Sequence, residues 1–274
     1  MKSLQKILIF SDIHLTSGNK KIIGLNPLKK LEFALEHALQ NHSDAERIVF
    51  SGDLAHNGDI AAYQSLQKLT EPIKIPITFM MGNHDQRIEF SKVFSSIDFD
   101  VNGFLQSKVS YRDHDLIFLD TLQYPISCEN KNEGFLCSKR LDWLESKLSA
   151  AQDKKVIIFM HHPAFSVGFR AMDRIRLVNS GKFFSVLKSF NNVIHLISGH
   201  IHRTISGHIN GFSFSIFKST CHQMPMQCES DNVKLSAVEP GAYGILFLSP
   251  NGVVVHSEDF ELTNSNKIIF EDYY

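Results

Sequence analysis

Short apolar runs alternate with polar breaks along the chain, and five of the runs end in the same kind of chemistry. Residues 6–10, 47–50, 77–81, 156–160 and 193–198 are each four to six residues long and rich in Ile, Val and Phe. That is the pattern of strands buried on both faces. Just beyond them stand Asp12-Ile13-His14, Gly52-Asp53, Gly82-Asn83-His84-Asp85, His161-His162 and Gly199-His200-Ile201-His202. Between the runs the apolar spacing becomes helical. Asn26 suits an N-cap and Pro27 a first helical position, ahead of an apolar stripe of Leu28, Leu31, Leu35, Ala38 and Leu39. Asp59 caps a second predicted helix with Ile60, Tyr63, Leu66 and Leu69 on one face, and residues 86–96 form a third. Ser138 opens a fourth, with Leu141, Trp143, Leu144 and Leu148 inward, and Ser180 opens a fifth carrying Phe183, Phe184, Leu187 and Phe190. Three hairpins are predicted: 108–111 with 115–119, 204–209 with 212–217 across Asn210-Gly211, and 243–248 with 253–256 across Pro250-Asn251-Gly252.

Strands joined by helices, with added hairpins, predict an α/β (α+β) sandwich: two facing mixed sheets flanked by helices, with a site at one sheet edge. In open α/β sheets the carboxyl ends of parallel strands are where ligands bind. The expected organisation is one domain over residues 1–260 and a polar tail over 261–274 that ends in Glu271-Asp272-Tyr273-Tyr274. Segments 121–137, 162–179 and 219–241 have no strong period and are long for loops. The last two follow strands at the proposed edge or its adjoining hairpin, so they are expected to form the wall facing substrate.

Charge narrows the partners. Lys+Arg number 28 against Asp+Glu 29, a net charge of -1, so there is no bulk footprint for duplex nucleic acid or an anionic membrane. The first residues are mildly basic, but the apolar run after them is too short for a signal-peptide core, and no stretch approaches a membrane span. Cys128, Cys137, Cys221 and Cys228 have no CxxC spacing and lie outside the five motifs, which argues against a thiolate zinc site. A cytoplasmic protein with reduced thiols is expected, acting on a small molecule; a homodimer is compatible with the sequence.

The residues at the strand ends are those of a two-ion hydrolase site. Two cations about 3.5–4 Å apart repel unless a ligand bridges them. Asp53, after Gly52, is the candidate bridge; one ion would take Asp12, His14 and His202, the other Asn83, His161 and His200. Oxygen and imidazole donors without sulfur suit iron, manganese, zinc or cobalt. His84, beside Asn83, is the candidate acid, able to donate a proton to a leaving oxygen, and Asp85 is expected to orient its ring. Water activated by the ion pair would be the nucleophile.

Asp-x-His, Gly-Asp, Gly-Asn-His-Asp, His-His-Pro and Gly-His-x-His, in that order over residues 12 to 202, resemble the calcineurin-like metallophosphoesterase superfamily. The resemblance implies a β-sandwich flanked by helices, the same seven ligands, and His161 rather than His162 as the ligand of the His-His pair. Met172-Asp173, Leu177-Val178-Asn179, Ser219-Thr220-Cys221 and Pro240-Gly241-Ala242-Tyr243 extend the similarity, toward the class III cyclic nucleotide phosphodiesterases, over roughly residues 5 to 258. Two departures touch no ligand. His56 stands where the family more often has a small or acidic residue, and Ala164 follows Pro163 where a second proline is common.

The expected function is therefore metal-dependent hydrolysis of a phosphodiester, with a 3′,5′-cyclic nucleotide as favoured substrate. A phosphomonoesterase, a 2′,3′-cyclic nucleotide or nucleic-acid phosphodiesterase, and a non-catalytic metal-binding scaffold are the alternatives. Arg170, Arg174 and Arg176 are readable as a phosphate clamp or as a solvated face, and Asp120 as an acceptor for a ligand histidine or as a turn former. Asp173 and Asn179 are candidates to reach substrate or the His162 ring. Of the histidines outside the motifs, His56 and His222 are near enough to the expected site to merit testing.

Overall fold

Period-two alternation in the first strand divides the core into layers. In β1 (Gln5–Phe10), Ile7 and Ile9 face one apolar cluster while Leu8 and Phe10 face another. The computed structural model describes residues 4–18, 20–123, 131–151 and 153–262. β2 (Arg47–Phe50) and β3 (Ile77–Phe79) lie parallel to β1, reached through the crossover helices α1 (Pro27–Asn41) and α2 (Ile60–Thr70). Near the end of the chain β10 (Tyr243–Ser249) pairs antiparallel with β1, and β11 (Gly252–Glu258) with β10, giving the sheet order β11-β10-β1-β2-β3.

The second sheet is built from the middle of the chain. β4 (Ser107–Ser110), β5 (His114–Leu119), β6 (Lys155–Met160), β7 (Val193–Ser198), β8 (Ile205–Ile209) and β9 (Phe212–Ile216) take the order β4-β5-β6-β7-β9-β8. β5, β6, β7 and β9 run parallel, and the two edge strands are antiparallel. Ile7, Ile9 and Val49 of the first sheet meet Phe118, Phe159 and Ile197 of the second in a fully apolar layer. Truncating Ile9 to Ala there would cost roughly 2–5 kcal/mol. Outside that layer α1, α2 and α3 (Arg87–Val93) cover the first sheet, while α4 (Ser138–Ser149) and α6 (Ser180–Leu187) cover the second.

The predicted sandwich, strands and hairpins are present. Asn26 accepts from Lys29 N at 3.2 Å and Asp59 from Ala62 N at 3.1 Å, the caps expected of α1 and α2. Three details differ. α3 stops at Val93 because Phe94 leaves helical geometry, at φ -100 and ψ 57. α4 and α6 begin without a side-chain cap, and a single turn, α5 (Arg170–Asp173), sits inside a segment expected to be a loop. Most of the expected tail, residues 263–274, lies outside the described residues, as does Cys128.

Candidate metal centre

Where the strands end, the backbone adopts conformations that non-glycine residues rarely accept. Asp12, His14, Asp53, His200 and His202 have φ of 52, 46, 51, 71 and 53. Each such residue costs on the order of 1–3 kcal/mol, and such strain persists where the surroundings impose it. Here the post-strand segments keep pairing: Asp12 N donates to Gly52 O at 3.2 Å and His14 N to Asp53 O at 2.9 Å. Gly52, at φ 100, has a second constraint, since a Cβ there would strike the His161 ring and lie 2.9 Å from Gly82 N.

Asp12, His14, Asp53 and His202 form one cluster, all ligand atoms within 4.8 Å of one another. His14 Nε2 lies 3.0 Å from His202 Nε2 and 3.5 Å from Asp53 Oδ2, and His202 Nε2 lies 3.4 Å from Asp12 Oδ1. Asp12 is fixed from behind, accepting from Ser11 Oγ and from His200 N at 3.0 Å. Ser219 Oγ donates to the Asp12 carbonyl at 2.6 Å, tying the Ser219-Thr220-Cys221 segment to this strand end.

His161, His162 and His200 form a second cluster, fully buried or nearly so. His161 Nδ1 donates to Ser51 O at 2.9 Å, which turns Nε2 toward Asp53 Oδ2, 3.4 Å away. Asp53 therefore faces both clusters. Asn83 Oδ1, His161 Nε2, His162 Nε2 and His200 Nε2 are buried without a hydrogen-bond partner.

These residues fit a pair of cations. Bonds of about 2.0–2.2 Å would set ligand atoms roughly 3.0–3.5 Å apart, the spacing seen between the ring nitrogens and carboxylates. Burial, followed by the neighbouring His161, holds His200 neutral down to about pH 3, and neutral imidazole is the form that ligates. Burial opposes charge on His161 too, yet the Asp53 and Asp12 carboxylates beside it lift its pKa to about 9. Burial would raise the Asp53 pKa, but His161 and His84 outweigh it and keep the carboxylate ionised. Two buried carboxylates thus draw positive charge into their midst, and the ligand atoms of His161, His162 and His200 lie within 4.8 Å of one another beside them.

The clusters floor a cavity of about 420 Å³. His14, Asp53, Asn83, His84, His200 and His202 line it together with an apolar wall of Ile22, Met172, Ile175, Met224, Val233 and Leu235 and with Lys131 and Lys234. Segments 162–179 and 219–241 supply most of that apolar wall, as expected of them.

The calcineurin-like phosphoesterase model matches residues 5–204. The chain belongs to that family. It is 33% identical to a probable cyclic nucleotide phosphodiesterase of Rhodopseudomonas palustris, over 93% of this chain and 92% of that one. With the 3′,5′-cyclic adenosine monophosphate phosphodiesterase CpdA of Escherichia coli it shares 28% identity over 86% and 82%. A dimetal phosphatase of Danio rerio has the same fold, with a TM-score of 0.69 at 15% identity, covering 93% of this chain and 96% of that one.

Around this phosphoesterase site the structure sorts the remaining candidates. His84 is held by its backbone, N donating to Asp53 Oδ1 at 2.9 Å, and by its ring, Nδ1 donating to His56 O at 2.7 Å, so Nε2 is left toward the cavity. Asp85 does not orient that ring. Its carboxylate is buried and accepts from Leu54 N, Ala55 N, Gly82 N and Tyr63 Oη at 2.9–3.1 Å, which splices the Gly52-Asp53 and Gly82-Asn83 turns together. Burial and the nearby Asp53 charge raise its pKa to about 6.

Asp120 meets no ligand histidine either; it takes both arms of Arg87 at 2.6 Å. Arg170 pairs with Glu229 and Arg174 with Asp231, on the outer surface, and Arg176 donates to the Asp173 carbonyl. Arg170 and Arg174 clip the two wall segments together, Arg176 is tied within its own segment, and the three form no phosphate clamp. Asp173 caps Val167 N and Asn179 pairs with the Leu136 backbone, so neither reaches His162, whose Nδ1 meets Thr121 Oγ1 at 2.8 Å. His56 and His222 do join the site, at ring distances of 5.4 and 5.1 Å from His14.

Proposed function

We propose that this phosphoesterase is a metal-dependent phosphodiesterase acting on a small diester, in the first place a 3′,5′-cyclic nucleotide. One observation carries the reading: a single cavity lined both by a carboxylate and imidazole cage with the His84 ring and by an apolar wall. The relatives named for cyclic nucleotides support it, and the net charge of -1 disfavours a duplex. No helix among the described residues is long and apolar enough to cross a membrane. Cys137, Cys221 and Cys228 are free thiols, in keeping with a cytoplasmic setting.

The cage residues are Asp12, His14 and His202 for one ion and Asn83, His161 and His200 for the other, with Asp53 shared. Two bound cations would polarise a phosphoryl oxygen and acidify a water molecule. The protein's own groups do the rest. The water gives one proton to solvent as its oxygen bonds to phosphorus and the P–O3′ bond breaks, and His84 Nε2, in its protonated form, gives a proton to O3′, leaving a 5′-nucleotide. The Met172, Ile175 and Leu235 wall receives the base and excludes water.

The test is turnover with 3′,5′-cyclic, 2′,3′-cyclic and linear diesters and with a monoester, on protein prepared without chelator and assayed for metal. Two ions per chain and fastest hydrolysis of the 3′,5′-cyclic ester are expected. Equal rates on all four would remove the cyclic preference, and absence of both metal and hydrolysis would leave a binding scaffold.

A further inference from the structure

Three of the site's rings fix their outward nitrogen on a main-chain carbonyl: His161 on Ser51, His202 on His222 and His84 on His56, at 2.9, 2.8 and 2.7 Å. No side-chain substitution removes such a partner. His14 is different. Its Nδ1 lies 3.3 Å from Nδ1 of the half-buried His56, a side chain.

Two imidazole nitrogens at that distance share one proton. His14 Nε2 faces Asp53 Oδ2 and His202 Nε2. To ligate through Nε2, a neutral His14 must carry its proton on Nδ1 and donate it to His56 Nδ1. A neutral His56 then bears its own proton on Nε2. The His56 ring also stacks on His84, with centroids 5.3 Å apart at 22°, so its plane is set from a second side.

We infer that His56 is a positioning residue for the first ion: as the acceptor for His14 Nδ1–H it selects the tautomer and orientation in which His14 Nε2 ligates. The inference rests on the two-ion reading of the site. Partners of this kind change metal affinity by about 10–100-fold when removed.

The experiment is calorimetric titration of Mn²⁺ into metal-depleted, full-length protein, comparing wild type with His56→Phe, His56→Gln and His56→Asn. Phe keeps a ring on His84 but has no acceptor, and Gln places its amide nearer the lost Nε2 than the lost Nδ1. Asn restores an acceptor near Nδ1. In the Phe and Gln variants one of the two ions is expected to bind about tenfold or more weakly, with the other within about threefold of wild type. The Asn variant is expected to bind both within about threefold.

Wild-type affinity for both ions in Phe or Gln, an equal loss of both, or Asn no better than Phe would overturn the role of His56 while leaving the two-ion site in place. Wild-type protein that takes up no manganese would overturn the two-ion reading, and this inference with it. Should Phe fail to fold, Gln against Asn decides.

Discussion

The two halves of the cage are built on opposite terms. Asp12, His14 and His202 lean on one another and on neighbours: His14 on His202 and His56, His202 on the His222 carbonyl, Asp12 on Ser11 and His200 N. Across Asp53, the acceptor of Asn83 and the Nε2 atom of His200 are buried with no hydrogen-bond partner, while His161 Nε2 has only Asp53 Oδ2, 3.4 Å away. A buried polar atom left unpaired costs about 1–3 kcal/mol. The first half is therefore largely satisfied by protein alone, whereas in the second Asn83 and His200 are left for a cation to satisfy. Ion loading should stabilise the fold chiefly through the second half.

The strongest way to break this comparison is to remove what the halves share. Asp53→Asn keeps an acceptor for His84 N but deletes the charge between the clusters. Turnover should fall about 10³-fold or more, by analogy with losing one preorganised electrostatic group, and elemental analysis should show both ions depleted. Retention of two ions would mean that Asp53 does not bridge. His84→Ala sits next in size. It should leave both ions bound and lower kcat by about 10²-fold, the lower range for general acid catalysis. Undiminished turnover would refute the acid role.

A pair of matched substitutions on one loop sharpens the contrast. His200→Phe and His202→Phe place the same ring at two left-handed positions, φ 71 and 53, so backbone strain is comparable. In chelated protein His200→Phe removes an unpaired nitrogen and should leave the urea midpoint unchanged or higher. His202→Phe strips partners from Asp12 and the His222 carbonyl and should lower stability by about 1–3 kcal/mol. Equal losses would mean that the halves do not differ as described. With metal restored, both should bind less than two ions.

The five strand ends were readable in the amino-acid sequence because apolar runs have a period and ligand residues stand at their exits. The caps of α1 and α2 were readable for the same reason: Asn26 and Asp59 act on residues three positions away. Asp85 was misread because its partners, Leu54 and Ala55, are some thirty positions away and are backbone amides, which no side-chain pattern announces. The arginine segment carried charge but no period, and only the fold shows that Glu229 and Asp231 come to meet it. His222 was singled out for its place near the expected site, but that its carbonyl holds His202 was not readable, since a backbone carbonyl is the same at every position.

The smallest predicted effect compares two histidines reached by the same strand. His195 lies within β7, 8% exposed, with Nε2 3.0 Å from Ser215 Oγ, while His200 follows the strand at the cage. Burial lowers the His195 pKa to about 4. In the unfolded chain it titrates near 6.5, so between these values the unfolded state binds more protons and stability falls as pH falls. The loss is essentially absent above pH 7 and complete below pH 4. Between pH 7 and 5.5 it amounts to about 1 kcal/mol. His195→Gln can keep a bond to Ser215 without titrating, and chelated protein removes the contribution of metal release. The stability gap between wild type and variant should then shift by about 1 kcal/mol toward the variant over that interval. A constant gap would show that the pH dependence of folding arises elsewhere, with the cage histidines the first place to look.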